Sequence, residues 1–520
     1  MLLTKLFRRG NTEAEIAGSA VSSSIGAKHG ETSAEWRAQL EAVRRGIVGI
    51  DAEFDGPYGR KRIVYADWIA SGRLYRPIEQ KMLEEFGPYT ANTHTDSNIT
   101  GSTMTQAYEE AKRIIKKHVN AGPHDVLINT GTGMTGAVAK LQRILGWKIP
   151  EQAAGRITLD PAERPVVFVT HVEHHSNQTS WLETICEVVI IPHDAEGKTD
   201  LNAFAKLLEE YAHRRTLVAA VSAGSNVTGY IPPYRTIASM IHKAGGMCFV
   251  DFACSAPYVN IDMHPEREDE SLDAIFFSPH KFLGGPGTCG VLVFNDSLYK
   301  NRVPDIPGGG TVKWTNPWGE HLFLDDIEHR EDGGTPPFLQ TIRTALCIRV
   351  KESIGVEHIR QREEELVAMF LTGLCGVEGI HVLAENITDR LGVISLYIDE
   401  LPYNLGVQLL NDRYGIQVRG GCSCAGTYGH FLLNIDRNLS NALLEKYLAC
   451  ELTAKPGWIR ISLHPVMSDH EAEYIINAVL ELNRKHHEWA KDYVFNVESN
   501  QFTHKSQLAG KPHGDWFSVS

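Results

Sequence analysis

Between Asp125 and Asn295 the chain alternates between two textures. Runs such as "DVLIN", "RPVVFVT", "CEVVIIP", "TLVAAVS", "MCFVDFA", "DAIFFS" and "GVLVFN" are almost wholly apolar and rich in β-branched residues. The stretches between them, among them "AVAKLQRIL", "DLNAFAKLLEEYAHRR" and "YRTIASMIHKAG", carry apolar residues at helical spacing. A strand that is apolar at every position needs cover on both faces, and amphipathic crossovers supply it. The pattern predicts an α/β fold, with a mostly parallel sheet of about seven strands sandwiched by helices.

After Gly334 longer helical patterns take over ("PFLQTIRTALCIRVKESIG", "EHIRQREEELVAMFL"), with strands only at places such as "LGVISLYI" and "GWIRISL". This predicts a large α/β domain over 36–354, opened by a helical segment, and a smaller C-terminal α+β domain over 355–495. Residues 1–35 read as a disordered arm and 496–520 as a flexible tail, both being small and polar.

Charge narrows the function classes. The 520 residues carry a formal net charge of -13 with no basic cluster, which disfavours nucleic acid or an anionic membrane as partner. No apolar run reaches the ~18 residues needed to span a bilayer. The nine cysteines, an odd number set mostly in apolar stretches, fit free thiols in a reducing compartment. The expectation is a cytoplasmic enzyme, with organellar targeting by the first residues left open.

In parallel sheets ligands bind beyond the carboxyl ends of the strands, and four strands here end in unusual chemistry. "INTGTGMTG" holds a G-x-G-x-x-G from Gly131 to Gly136 between a strand and a helix. The acid that a dinucleotide site needs about twenty residues on is missing, so a phosphate cradle on the backbone N–H groups of Gly133 and Met134 is preferred. "THVEHHSN" invites a zinc reading through His171, Glu173, His174 and His175. The spacing fits no metal motif, and no metal is expected. A histidine there can instead stack on a planar cofactor. Asp251 ends an apolar strand, where a carboxylate is costly unless paired, and a protonated ring nitrogen would pair it. Lys281, in "FSPHKFLGGPG", follows the next strand, where partial desolvation would fit it to form a Schiff base with an aldehyde. Ser278 and His280 add donors for a phosphate. Cradle, carboxylate and lysine together describe a site for pyridoxal 5'-phosphate.

The ordered set "VEHHSNQTSW", "GSNVTG", "VDFACS", "FSPHKFLGGPG", "GGTPPF", "VRGGCSCAG" and "RISLHPVMS" resembles class V, fold-type I pyridoxal-phosphate enzymes over roughly Tyr65 to Asn483. It looks most like their cysteine desulfurase and selenocysteine lyase branch. The resemblance implies that Lys281 anchors the cofactor, Asp251 pairs with its ring nitrogen and His174 stacks on the ring. Gly133, Met134, Ser278 and His280 would bind the phosphate, joined by Thr335 from the other subunit of a homodimer. Asn226 would lie near the cofactor hydroxyl and the substrate carboxylate, with Arg460 and Arg419 binding the substrate. Cys424 falls on the nucleophile position that takes up sulfur from L-cysteine, and a sulfur-acceptor protein is then an expected partner. Glycines around "CSC" suggest a mobile loop.

One position departs from the family pattern. Cys254 stands where glutamine or histidine usually donates to the cofactor's phenolic oxygen, and a thiol is a weak donor. Ser255 is a candidate substitute. The alternatives are a class V aminotransferase, epimerase or other lyase that does not use Cys424, and an NAD-dependent oxidoreductase using Gly131 to Gly136.

Overall fold

The computed structural model describes residues 30–93, 95, 97–449, 456–497, 499–507 and 517–519. At its centre are seven strands: β1 (Asp125–Thr130), β2 (Val166–Thr170), β3 (Glu187–Ile191), β4 (Leu217–Ser222), β5 (Met247–Asp251), β6 (Ala274–Phe277) and β7 (Gly290–Asn295). They lie side by side in the order β1-β7-β6-β5-β4-β2-β3. β7 is antiparallel to both neighbours and all other pairs are parallel. The connection from β6 to β7 holds only a single turn, Pro279–Lys281, so it cannot carry a helix across the sheet and β7 returns antiparallel.

Burial follows the pleat. Phe249, Phe276 and Leu292 face one apolar core, while Val250, Ile275, Phe277 and Val291 face a second on the other side. Both faces are covered, as the continuous apolar runs require. In the helix Ile99–His118, Met104, Tyr108, Ala111 and Ile115 are buried at helical spacing; Ile115 reaches the core under the sheet while Ala111 packs with Ile342 and Ala345 of the helix Phe338–Ile354, and Asn98 caps the helix by accepting from the Gly101 N–H at 2.8 Å.

A second, antiparallel sheet comprises β8 (Ile380–Val382), β9 (Val393–Ile398), β10 (Arg419–Gly421) and β11 (Trp458–Ser462), in the order β8-β9-β11-β10. In β11, Ile459 and Ile461 enter the apolar core beside this second sheet, so alternation turns Arg460 to the opposite face. That orientation matters below.

Two terminal segments differ from the sequence reading. The first 29 residues lie outside the described ones, but a helix already runs over Gly30–Arg45. Its Trp36, Leu40 and Val43 are buried with Leu366, Phe370 and Val479 of the C-terminal part, and Val64–Tyr65 pairs in parallel with Ile416–Gln417. This segment therefore packs with the C-terminal part of the chain rather than with the sheet it precedes, because its apolar stripe finds its complement there. At the other end, Tyr493–Asn496 pairs with Gln501–His504 in a hairpin, and Phe502 packs against the same core. The polar composition hid a strand that pairs locally. Among the described residues no helix is long and apolar enough to cross a membrane.

The turn that presents Lys281 is held from outside the sheet. Gly72 N–H donates to His280 O at 2.8 Å, and a Cβ on Gly72 would lie 1.8 Å from Phe282 O. Gly72→Ala is expected to destabilise the fold by about 3 kcal/mol, since backbone must move to admit the methyl. A fall in the denaturant midpoint with unchanged slope checks this.

Candidate active site

Strand ends of the large sheet and one face of the small sheet enclose a cavity of about 230 Å³. Met134, His174, Asn226, Asp251, Cys254, Ser278, His280, Lys281, Arg419, Cys424 and Arg460 all line it. Gly133 lies just beside it, and Thr335 is exposed and outside it. A wider surface groove of about 450 Å³, beside Tyr234 and Asp389, holds none of these groups.

At the foot of the cavity, Asp251 is buried and its Oδ1 accepts from the Ala253 N–H at 2.7 Å. Among the described residues nothing donates to Oδ2. Burial pushes this carboxyl up to about 7, against the pull of the Ala253 N–H and of Lys281, with the nearby Glu173 pushing further up. Glu173 is itself buried behind the strand ends, but it accepts from Thr170 Oγ1 at 2.5 Å, Asn177 Nδ2 at 2.8 Å and Ser222 Oγ at 2.5 Å. One carboxylate is saturated; Asp251 is short of partners.

Lys281 is partly buried, and desolvation holds its amine below the usual lysine range, opposed by Cys254 and Asp251. A neutral-leaning amine can bond an aldehyde or accept a proton. His174 caps the helix His175–Leu182, its Nδ1 accepting from the Ser176 N–H at 3.1 Å. Burial and then Lys281 push its imidazole down to about 4, so it is neutral at ordinary pH. His280 is pushed down to about 4 by the same two causes.

The glycine turn after β1 closes against these groups. Gly133 has φ +62°, and a Cβ there would lie 2.8 Å from Ser278 Oγ and 3.2 Å from His280 Cε1. Met134 N–H donates to Ser278 Oγ at 2.8 Å, at the start of the helix Gly133–Ile144. Only glycine allows this close approach, which leaves backbone donors, a hydroxyl and a helix N-terminus around one spot.

The second sheet supplies the cationic wall, from Arg419 and Arg460. Arg460 donates from Nη1 to Asn226 O at 3.2 Å, and Asn226 Nδ2 donates to Ser423 O at 2.7 Å. The turn carrying Cys424 is hydrogen-bonded at several points to the segment that follows the second strand. His175 N–H donates to Cys424 O at 2.8 Å, Gly426 N–H to His175 Nε2 at 2.9 Å, and Thr427 Oγ1 to Gln178 Oε1 at 2.7 Å. Ser423 and Cys424 sit at φ +53° and +57°, a left-handed pair that these bonds hold in place. The Cys424 side chain stays exposed at the cavity mouth.

Cys254 is buried in the cavity wall, and desolvation pushes its thiol up to about 12, which keeps it protonated. Ser255 lies outside the lining, and its buried hydroxyl has no partner among the described residues. Asp67 was missed by the sequence reading. It bonds both Arg419 and Arg460, and its only local signal was an acid directly after the short run "IVYA". Among the described residues no group of three or more His, Cys, Asp or Glu could hold a metal ion.

The groups present fit pyridoxal phosphate. A partner-poor buried carboxylate suits a protonated ring nitrogen, the glycine turn with Ser278 suits a phosphate, and the lysine between them suits an aldehyde. Held there, the group would be bounded by Asp251, His174, Ser278 and Lys281.

The model of the aminotransferase class-V family matches residues 64–475. A probable cysteine desulfurase from Halalkalibacterium halodurans is 27% identical over 381 residues, 72% of this chain and 86% of its own length. One from Staphylococcus aureus is 27% identical over 397 residues, covering 75% and 89%. Two solved structures share the fold. A cysteine desulfurase from Thermococcus onnurineus superposes with a TM-score of 0.68 at 23% identity, over 85% of this chain and 98% of that one. The cysteine desulfurase CsdA from Escherichia coli gives 0.64 at 21% identity, over 86% and 98%. With that match the dinucleotide reading of Gly131 to Gly136 falls away, and the chain belongs to the class V aminotransferase family of pyridoxal-phosphate-dependent enzymes.

Proposed function

We propose that this enzyme is a cysteine desulfurase, converting L-cysteine to L-alanine and keeping the sulfur as a persulfide on Cys424. The observation that carries the reading is an exposed thiol opening onto the same cavity as Lys281, Asp251 and Arg460. The resemblance to probable cysteine desulfurases supports it.

Pyridoxal phosphate, when bound, supplies a ring that withdraws electrons from the substrate's α-carbon. Arg460 and Arg419 would hold the substrate carboxylate and so orient the α-hydrogen. Lys281, as the anchor and then as a free neutral amine, would take the proton from Cα. Asp251 would pair with the protonated ring nitrogen, and neutral His174 would accept or return a proton. Cys424 as thiolate would attack the substrate sulfur: an S–S bond forms, the Cβ–S bond breaks, and its electron pair with a proton becomes the methyl group of alanine. The sum is one thiol and one cysteine giving one persulfide and one alanine, so no outside oxidant is needed. A sulfur acceptor would come to the thiol at the cavity mouth.

A second copy of the chain belongs to this proposal. Thr335 is exposed, away from its own cavity, and its neighbour Gly334 bonds Gly309 near the hairpin Val312–Phe323. That hairpin leaves Trp314, Trp318 and Leu322 exposed, apolar area that a subunit contact would cover.

Cys424→Ala is expected to keep the visible absorbance of the bound cofactor and to lower alanine and persulfide formation from L-cysteine by roughly 10²-fold or more. Full-rate sulfur release from the variant would leave an aminotransferase or another lyase as the better reading.

A further inference from the structure

Arg419 of β10 and Arg460 of β11 stand directly opposite each other across the strand pair. Two like charges so placed oppose folding unless something lies between them. Asp67 does. Its Oδ1 accepts from Arg460 Nη2 at 2.7 Å, and its Oδ2 accepts from Arg419 Nε at 3.1 Å with Nη2 at 3.0 Å. The main chain delivers it there: Ser462 N–H donates to Ala66 O at 2.7 Å, and Asp67 bridges Ser462 in parallel register.

Each carboxylate oxygen is thus taken by a different guanidinium. Arg460 is only 3% exposed and lines the cavity beside Asn226 and Lys281. Two guanidiniums and one carboxylate leave a single positive charge on this wall.

We infer that Asp67 is a specificity-determining residue: by neutralising one of the two arginines it sets the site to take an amino acid with one carboxylate and disfavours a dicarboxylic one. The inference rests on reading Arg460 as the substrate-carboxylate clamp and deepens it. Without Asp67 the wall would offer two adjacent positive charges, the match for a dicarboxylate of the same backbone.

Calorimetric titration of cofactor-loaded wild type, Asp67→Asn and Asp67→Glu with L-alanine and with L-aspartate tests this. Wild type is expected to prefer L-alanine. Asp67→Asn should move the ratio of dissociation constants toward L-aspartate by roughly tenfold, the size of one nearby charge in a partly solvated site. Asp67→Glu should keep the wild-type ratio, and the asparagine effect should shrink as salt rises, which a merely structural loss would not do. Equal weakening of both ligands in Asp67→Asn, with the ratio unmoved, overturns the assignment of Asp67 alone. Absence of saturable L-alanine binding to wild type overturns the Arg460 reading and this inference together.

Discussion

Lys281→Ala is expected to abolish amino-acid turnover, by roughly 10³-fold or more, together with the visible absorbance of covalently held cofactor. In the proposed mechanism two functions would meet on one amine, anchor and proton acceptor, and general base catalysis alone contributes about 10² to 10⁴ in rate. The geometry behind this is specific. Lys281 leaves the strand end in a single turn, faces Asp251 and Cys254, and loses solvation, so its amine leans neutral. The fold should survive, because removing a desolvated amine relieves a cost rather than breaking a hydrogen bond that any other residue depends on. Measuring cofactor absorbance, borohydride trapping and turnover on the same variant, with circular dichroism for fold, checks the prediction. Trapped cofactor or full turnover in Lys281→Ala would put the reactive amine elsewhere.

Asp251→Asn is expected to make the cofactor-free protein more stable at pH 8 while impairing it as an enzyme. The Asp251 carboxyl is raised from 3.8 to about 7 by burial. A raised folded-state value means that its stabilising contribution is complete below pH 3.8 and is lost as pH climbs through about 7. Above that, an ionised carboxylate sits in a poorly polar site. The asparagine variant escapes this and can still accept from the Ala253 N–H. The gain should be about 2–4 kcal/mol at pH 8, from roughly three units at 1.36 kcal/mol each, and should fade toward pH 4. With cofactor bound the order should reverse, since a protonated ring nitrogen would then face a neutral amide. Denaturation of both proteins, with and without cofactor, at the two pH values measures this.

How much of this was legible in the sequence depends on the range of the interactions involved. The seven strands were readable because each had to be covered on both faces, a demand that every residue in the run records. Asp251, Ser278, His280 and Lys281, at strand ends of the seven-stranded sheet, were readable for a related reason: they interrupt apolar runs, where polar groups need a purpose. The helix over Gly30–Arg45 shows the opposite case. Its apolar stripe at Trp36, Leu40 and Val43 was present in the sequence, but nothing local said which core would receive it.

Chain pattern alone therefore determined the sheet, its two-sided cover and the polar residues at its carboxyl edge, because those follow from periodicity and from the cost of burying charge. Only the tertiary structure decided that Asp67 lies between Arg419 and Arg460, and that the Cys424 turn is hydrogen-bonded to His175 and Asn226. Those partners are hundreds of residues apart along the chain. A hydrogen bond between distant residues leaves no period in either segment, so it exists for the reader only once the backbone has brought the two together.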